Sequence, residues 1–189
     1  MTADRTDTDR TLAALGARLD RLESESAVRT VMAEYMRLCD RLDEHTPMEA
    51  LADLFAEDAA WAGRGARYAA SFGAHSGRAA ILAMLESYRG PPPHFALNAH
   101  FLTSEIIAVH GDAATGGWLM LQTATYADGS SDLRAARLSV AFTRHGGRWR
   151  ISRFETENLF SRPVDHWDHP APVAVAPLRG LGDRDEKDS

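Results

Sequence analysis

The chain has 189 residues, enough for one domain with tails, and a formal net charge of −6 with acids and bases interspersed rather than blocked. That balance argues against nucleic acid or an anionic membrane as the main partner, because both reward a basic face. A hydrophobic share of 44% and a charged share of 25% are those of a globular protein in water, and the single cysteine, Cys39, has no partner for an internal disulfide. The charged start MTADRTDTDRT lacks the apolar run of a signal peptide, and no later stretch is long and apolar enough to span a bilayer, so the expected location is the cytoplasm.

Residues 1–10 read as a disordered leader. Leu12, Leu15, Leu19 and Leu22 recur at spacings of three and four, the mark of an amphipathic helical lead-in. "SES" at 24–26 offers an N-cap for a second helical stretch with Val28, Val31, Met32, Tyr35, Leu38, Cys39 and Leu42 on its apolar side. In "TPME" (46–49), Thr46 can cap, Pro47 suits the first helical position and Glu49 completes a capping box before Leu51, Leu54 and Phe55. A short strand is expected around Trp61. The Gly- and Ala-rich stretch 63–77 lacks the spacing and the Lys-Ser/Thr of a phosphate loop and reads as a flexible hairpin or flap. A further helix is predicted from Ser76 to before Gly90 and "PPP" (91–93).

Beyond Pro93, stretches 97–109, 114–126, 134–144 and 148–158 are rich in β-formers, and the connections between them are short and contain glycine. They predict an antiparallel meander after the helices, hence α+β. A curved sheet with helices on its inner face makes an open cone whose interior is either filled by side chains or left as a pocket. The expected organisation is a leader and lead-in over 1–22, the cone domain over 23–160, and a Pro-rich then charged tail over 161–189 that is draped along the surface or disordered.

The segments LESESAVRTVMAEYMRLCDRLD, LADLFAEDAAW, SGRAAILAML, NAHFLTSEIIAVHGDAATG and GGRWRISRFE, in this order, resemble SnoaL-like proteins of the nuclear-transport-factor-2-like superfamily over roughly residues 20–160. The resemblance implies a cone-shaped α+β fold. It leaves function wide, because that fold hosts dehydratases, isomerases, dehydrochlorinases, polyketide cyclases and inert binding modules. In the dehydratase and dehydrochlorinase branches an aspartate near the end of the first long helix pairs with a histidine that begins the strand before a Gly-Asp turn. The matching positions here are Asp40 and His100, with Gly111 and Asp112 as the turn. A tyrosine five residues before that aspartate recurs in the bile-acid dehydratase type, and Tyr35 stands there. Where the family often has Asn four residues after the histidine, this chain has Ser104.

The chemistry of these residue types fits that pairing. A carboxylate at a helix C-terminus faces the negative end of the macrodipole, so local helix logic does not favour Asp40 there. Aimed into an apolar cone beside a histidine, it forms a pair able to take a proton next to a carbonyl or return one to a leaving hydroxyl. Tyr35 lies about 140° around an ideal helix from Asp40; it is either a core residue or a hydrogen-bond donor that polarises a carbonyl. His94 is a loop residue near the expected mouth, and Trp61, Tyr68, Phe72, Phe101 and Trp118 are candidates for an apolar, substrate-contacting lining, with core packing as the alternative for each. Arg153 points either into the cone or outward, because Trp149, Ile151 and Phe154 share no single strand phase. "HWDH" (166–169) has an i,i+3 histidine pair without further ligands, so no metal is expected; nicotinamide, flavin and haem signatures are absent, so no cofactor is expected.

The leading expectation is a cofactor-independent dehydratase, isomerase or cyclase acting on a small to medium apolar carbonyl metabolite such as a polyketide, a steroid or an aromatic compound. The alternative is a non-catalytic ligand-binding module or complex subunit of the same fold, in which Asp40 and His100 do not meet or the pocket is plugged. Strand 114–126 is partly apolar on both phases, and together with the resemblance this points to a homodimer formed sheet to sheet.

Overall fold

A computed structural model describes residues 2–165 and Trp167, with side chains from Asp7 onward. Six strands form one curved, unclosed sheet in the order β2-β1-β6-β5-β4-β3, with the helices on one side of it. The architecture is the expected α+β cone.

Helix α1 (Thr2–Cys39) is one unbroken helix, not a disordered leader followed by two separate segments. Its second half is buried through Val28, Met32, Tyr35, Met36 and Leu38, whereas Leu12, Leu15, Leu19 and Leu22 are all more than half exposed. Once packing has nucleated the buried half, each further residue adds one hydrogen bond for one ordered residue, so the helix extends beyond the body it packs on. Arg29 ties α1 to Glu105 at 2.7 Å, and Arg144 clasps both Asp20 at 2.8 Å and Asp112 at 2.7 Å. The aspartate of the Gly-Asp turn thus helps dock the helix on the sheet.

Helix α2 (Met48–Asp53) begins where "TPME" predicts, but without the capping box. Thr46 instead turns its hydroxyl to the Arg41 carbonyl and accepts from the Asp43 N–H at 2.9 Å, closing the loop after α1. Strand β1 (Phe55–Arg64) is longer than expected and lies parallel to the last strand. The stretch expected to be a flap is helix α3 (Gly65–Phe72) followed by β2 (Ala74–Ser76), which pairs back onto β1; α4 (Arg78–Glu86) comes next. Gly63 has no room for a side chain, since a Cβ there would meet the Tyr68 carbonyl at 2.2 Å.

Strands β3 (Phe95–His110), β4 (Ala113–Tyr126), β5 (Ser131–His145) and β6 (Arg148–Val164) form the antiparallel meander. Strand β6 runs four residues into the stretch expected to be tail. The pairing shifts from Ala141↔Arg153 to Phe142↔Ile151, a bulge that gives β6 one extra residue, Ser152. The bulge resolves the phase conflict: Trp149 and Ile151 are buried before it, Phe154 and Thr156 after it, and Arg153 is exposed and bridged to Glu155 at 3.2 Å. Of "HWDH", only Trp167 lies among the described residues, where it is exposed; residues 168–189 of the tail lie outside them.

Candidate functional site

The concave face of the sheet, α1, α3 and α4 enclose an open cavity of about 730 Å³. That is room for a ligand of several fused rings, within the roughly 300–1,000 Å³ usual for small-molecule sites.

At one end the C-terminus of α1 meets β3. A helix end leaves carbonyls without partners, and Asn98 donates from Nδ2 to the Cys39 carbonyl at 3.1 Å. Gln122 on β4 donates to Asn98 Oδ1 at 2.7 Å and so fixes the amide. One residue further along α1, Asp40 Oδ1 accepts from two groups of His100, the backbone N–H at 3.0 Å and ring Nδ1 at 2.6 Å. In the neutral ring this contact places the proton on Nδ1 and leaves the Nε2 lone pair for the cavity that His100 lines. Asp40 is not part of the cavity wall. It stands behind His100, so the residue expected to aim into the cone instead orients the one that does.

Tyr35 lines the cavity, buried between Phe55 and Phe154 with ring centroids 5.6 and 5.1 Å away. Its oxygen accepts from Trp61 Nε1 at 3.1 Å, and its O–H donates to the Cys39 thiol. Burial raises its pKa well above the ordinary phenol value, so it serves as a donor rather than a base. Burial also pushes the neighbouring Cys39 thiol up to about 12, with the Tyr35 hydrogen bond opposing and Asp40 adding. That thiol is no nucleophile.

Trp61, Tyr68, Phe72 and His94 all lie on the cavity wall. Trp61 stacks on Phe154 at 5.7 Å, Tyr68 and Phe72 meet edge to face at 4.9 Å, and His94 packs on Phe95 at 4.5 Å. Two expected lining residues lie elsewhere. Phe101 follows His100 on the same strand, so the pleat turns it to the outer face, where it is 52% exposed. Trp118 is buried off the cavity, over Gly116 and beside Phe142, with Nε1 donating to Glu105 at 3.2 Å.

The far end of the cavity holds polar residues that the sequence reading did not single out. Arg134 donates from Nε to Asp132 Oδ2 at 2.7 Å and from Nη2 to both Asp132 and the Tyr126 hydroxyl; Tyr126 in turn donates to Asp132 Oδ2 at 3.0 Å. Burial, opposed by Arg134 and aided by Asp132, pushes the Tyr126 hydroxyl up to about 12. The register explains how the two ends share one wall. His100 pairs with Gln122, Gln122 with Arg134, and Arg134 with Ser161, a single row across four strands. Only Gln122 carried a local signal, as a polar side chain on the buried phase of β4.

Among the described residues no group of three or more His, Cys, Asp or Glu is placed to hold a metal ion, and no helix is long and apolar enough to cross a membrane.

Residues 20–155 match the family model of a SnoaL-like domain. No curated protein matches the sequence. Among solved structures, a type 2 hexachlorocyclohexane dehydrochlorinase superimposes with a TM-score of 0.66 at 22% identity, over 84% of this chain and 99% of that one. A scytalone dehydratase-like protein from Novosphingobium aromaticivorans gives 0.63 at 20% identity, over 77% and 90%. An NTF2-like protein with a cystatin-like fold from the same organism gives 0.59 at 28% identity, over 77% and 88%.

Proposed function

The chain belongs to the SnoaL-like family, and from that premise we propose that it is a cofactor-independent acid–base enzyme, a dehydratase first and an isomerase or cyclase next. Its substrate is an apolar carbonyl metabolite of polyketide, steroid or aromatic type. The observation that carries the reading is the 2.6 Å contact between His100 Nδ1 and Asp40 Oδ1 at the wall of a cavity of about 730 Å³. His100 Nε2 removes the proton beside the substrate carbonyl, and Asp40 steadies the imidazolium that forms. Tyr35 O–H turns from the weak acceptor Cys39 to the oxygen on which negative charge develops and donates to it. The electron pair left on carbon forms the double bond as the neighbouring C–O bond breaks, and the imidazolium returns its proton to the departing hydroxyl. The names of the dehydrochlorinase and the dehydratase-like protein both denote eliminations, which supports this order of preference.

A pocket that is open, and on whose wall His100 is backed by Asp40, favours an enzyme over a ligand-carrying module. Metabolite capture from the native host, followed by mass analysis before and after incubation, separates the two. A dehydrated or rearranged product that fails to form with His100→Ala supports the enzyme; ligand recovered unchanged at stoichiometry overturns it.

The cytoplasm is the proposed location, on the single free cysteine. A homodimer is the proposed assembly. On the outer face of the sheet Phe101 pairs with Leu121, and Leu119, Leu121, Leu159 and Phe160 are each at least 38% exposed, an apolar surface that a second sheet would cover. Light scattering should give a dimeric mass for the wild type and a monomeric mass for Leu121→Lys; a monomeric wild type overturns the pairing.

A further inference from the structure

The far end of the cavity offers a polar pattern that the proton-transfer chemistry does not use. Arg134 engages its partners through Nε and Nη2, and among the described residues Nη1 has no hydrogen-bond partner. Among the described residues Asp132 accepts only on Oδ2; its Oδ1 is buried and has no partner among them, which is rare for a carboxylate oxygen in a folded protein. Both residues line the cavity. One ion pair on the cavity wall therefore carries both an unused guanidinium donor and an unused carboxylate acceptor. The two charges cancel each other.

That combination selects by chemistry. A carboxylate ligand could use the guanidinium but would meet the negative Asp132. A ketone or ether could use the donor alone. A neutral hydroxyl group is both donor and acceptor and satisfies both vacant positions. Removing either position would leave the other unpaired, the condition under which a polar site discriminates most strongly.

We propose that Asp132, Arg134 and Tyr126 form the subsite that recognises a neutral alcoholic or phenolic hydroxyl group on the substrate, at the opposite end of the cavity from His100. The assignment rests on the reading of this cavity as the substrate site. His100 and Arg134 stand two strands apart in one row of the sheet, which puts their Cα atoms about 10 Å from each other. A fused two- or three-ring skeleton spans that gap. The substrate is then a polycyclic or extended carbonyl compound with a distal hydroxyl, held by that hydroxyl while its reacting carbon faces Nε2.

Calorimetric titration with 2-naphthol, naphthalene and 2-naphthoate at neutral pH tests the subsite without knowledge of the natural substrate. The wild type should bind 2-naphthol about tenfold more tightly than either analogue. Asp132→Asn, which leaves Arg134 uncompensated, should shift the naphthol-to-naphthoate preference toward naphthoate by about tenfold or more. His100→Ala should keep the wild-type ranking, so a failure of the catalytic reading, seen as turnover that survives His100→Ala, stays distinct from a failure of the subsite. Should Asp132→Asn not fold, Arg134→Lys replaces it, with the advantage of naphthol over naphthalene expected to disappear. Naphthalene or naphthoate binding the wild type as tightly as naphthol, or a preference unchanged in Asp132→Asn or Arg134→Lys, overturns the proposal.

Discussion

Asp40 and Asp132 are two carboxylates serving one cavity, each paired with a nitrogen side chain from the same sheet, yet the partners give them opposite characters. Asp40 meets an imidazole. Its single oxygen Oδ1 collects both the backbone N–H and Nδ1 of His100, and the far ring nitrogen is left to exchange a proton. Asp132 meets a guanidinium, which does not give up its proton at any ordinary pH. Arg134 is held above even its usual value, because Tyr126 and Asp132 outweigh the effect of burial. The same acid therefore makes the proposed proton-transfer pair at one end of the cavity and a fixed, neutral pair at the other. On the proposed reading, the identity of the base decides which end performs chemistry and which end holds the ligand.

The comparison breaks most visibly at the first pair. His100→Ala should lower kcat by about 10²–10⁴-fold with KM changed little, since the lost group acts in the transition state. Asp40→Asn should fall within the same range, because an amide no longer favours the Nδ1–H tautomer. Circular dichroism that matches the wild type would assign both losses to chemistry. Turnover at the wild-type rate in either variant would remove the near end of the cavity from the mechanism.

Much of that near end was legible through the family resemblance, which matched Asp40, at the end of an apolar helical run, and His100, on the strand that leads to a Gly-Asp turn. Tyr35 was readable as either core or site, and it is buried on the cavity wall with its hydroxyl oxygen held by Trp61. Asn98, Gln122, Asp132 and Arg134 were not readable as a group. They come together through the registers of β3, β4 and β5, and those registers depend on strand lengths and bulges that no local pattern specifies. Phe101 was misplaced for a simpler reason: its neighbour's inward direction requires it to face out. The bulge at Ser152 likewise hid the orientation of Arg153, and residues 1–10 read as disorder because they are polar and carry no apolar periodicity.

Two smaller effects sharpen the contrast. Cys39 is a second acidic group at the near end, and burial keeps it neutral. Its folded-state value of about 12 lies above the ordinary 9.0, so between those values the unfolded chain has lost a proton that the folded chain keeps. Stability must then fall as pH rises from 9 toward 12 and be fully retained below that window. Thermal melts across the window should show this fall, and Cys39→Ala should flatten it; a fall of equal size in that variant would assign it elsewhere.

Ser104 gives the smallest effect. It has a positive φ of 52° at the β3 bulge and is exposed, so its place in the family pattern is a matter of backbone conformation rather than of a hydrogen bond into the cavity. Asparagine tolerates that conformation better than serine. Ser104→Asn should raise stability by about 0.5 kcal/mol or less, as for other surface backbone changes, and leave turnover unchanged. A change in kcat would place Ser104 in the site after all.

The most direct test of the account is the protonation state of the His100 ring. Long-range proton–nitrogen correlations in ¹⁵N-labelled protein distinguish the two ring nitrogens without any substrate. For the neutral ring the geometry predicts a proton on Nδ1 and a bare Nε2 in the wild type, and loss of that preference in Asp40→Asn. A neutral ring protonated on Nε2 in the wild type would leave no base facing the cavity and would contradict the proposed mechanism.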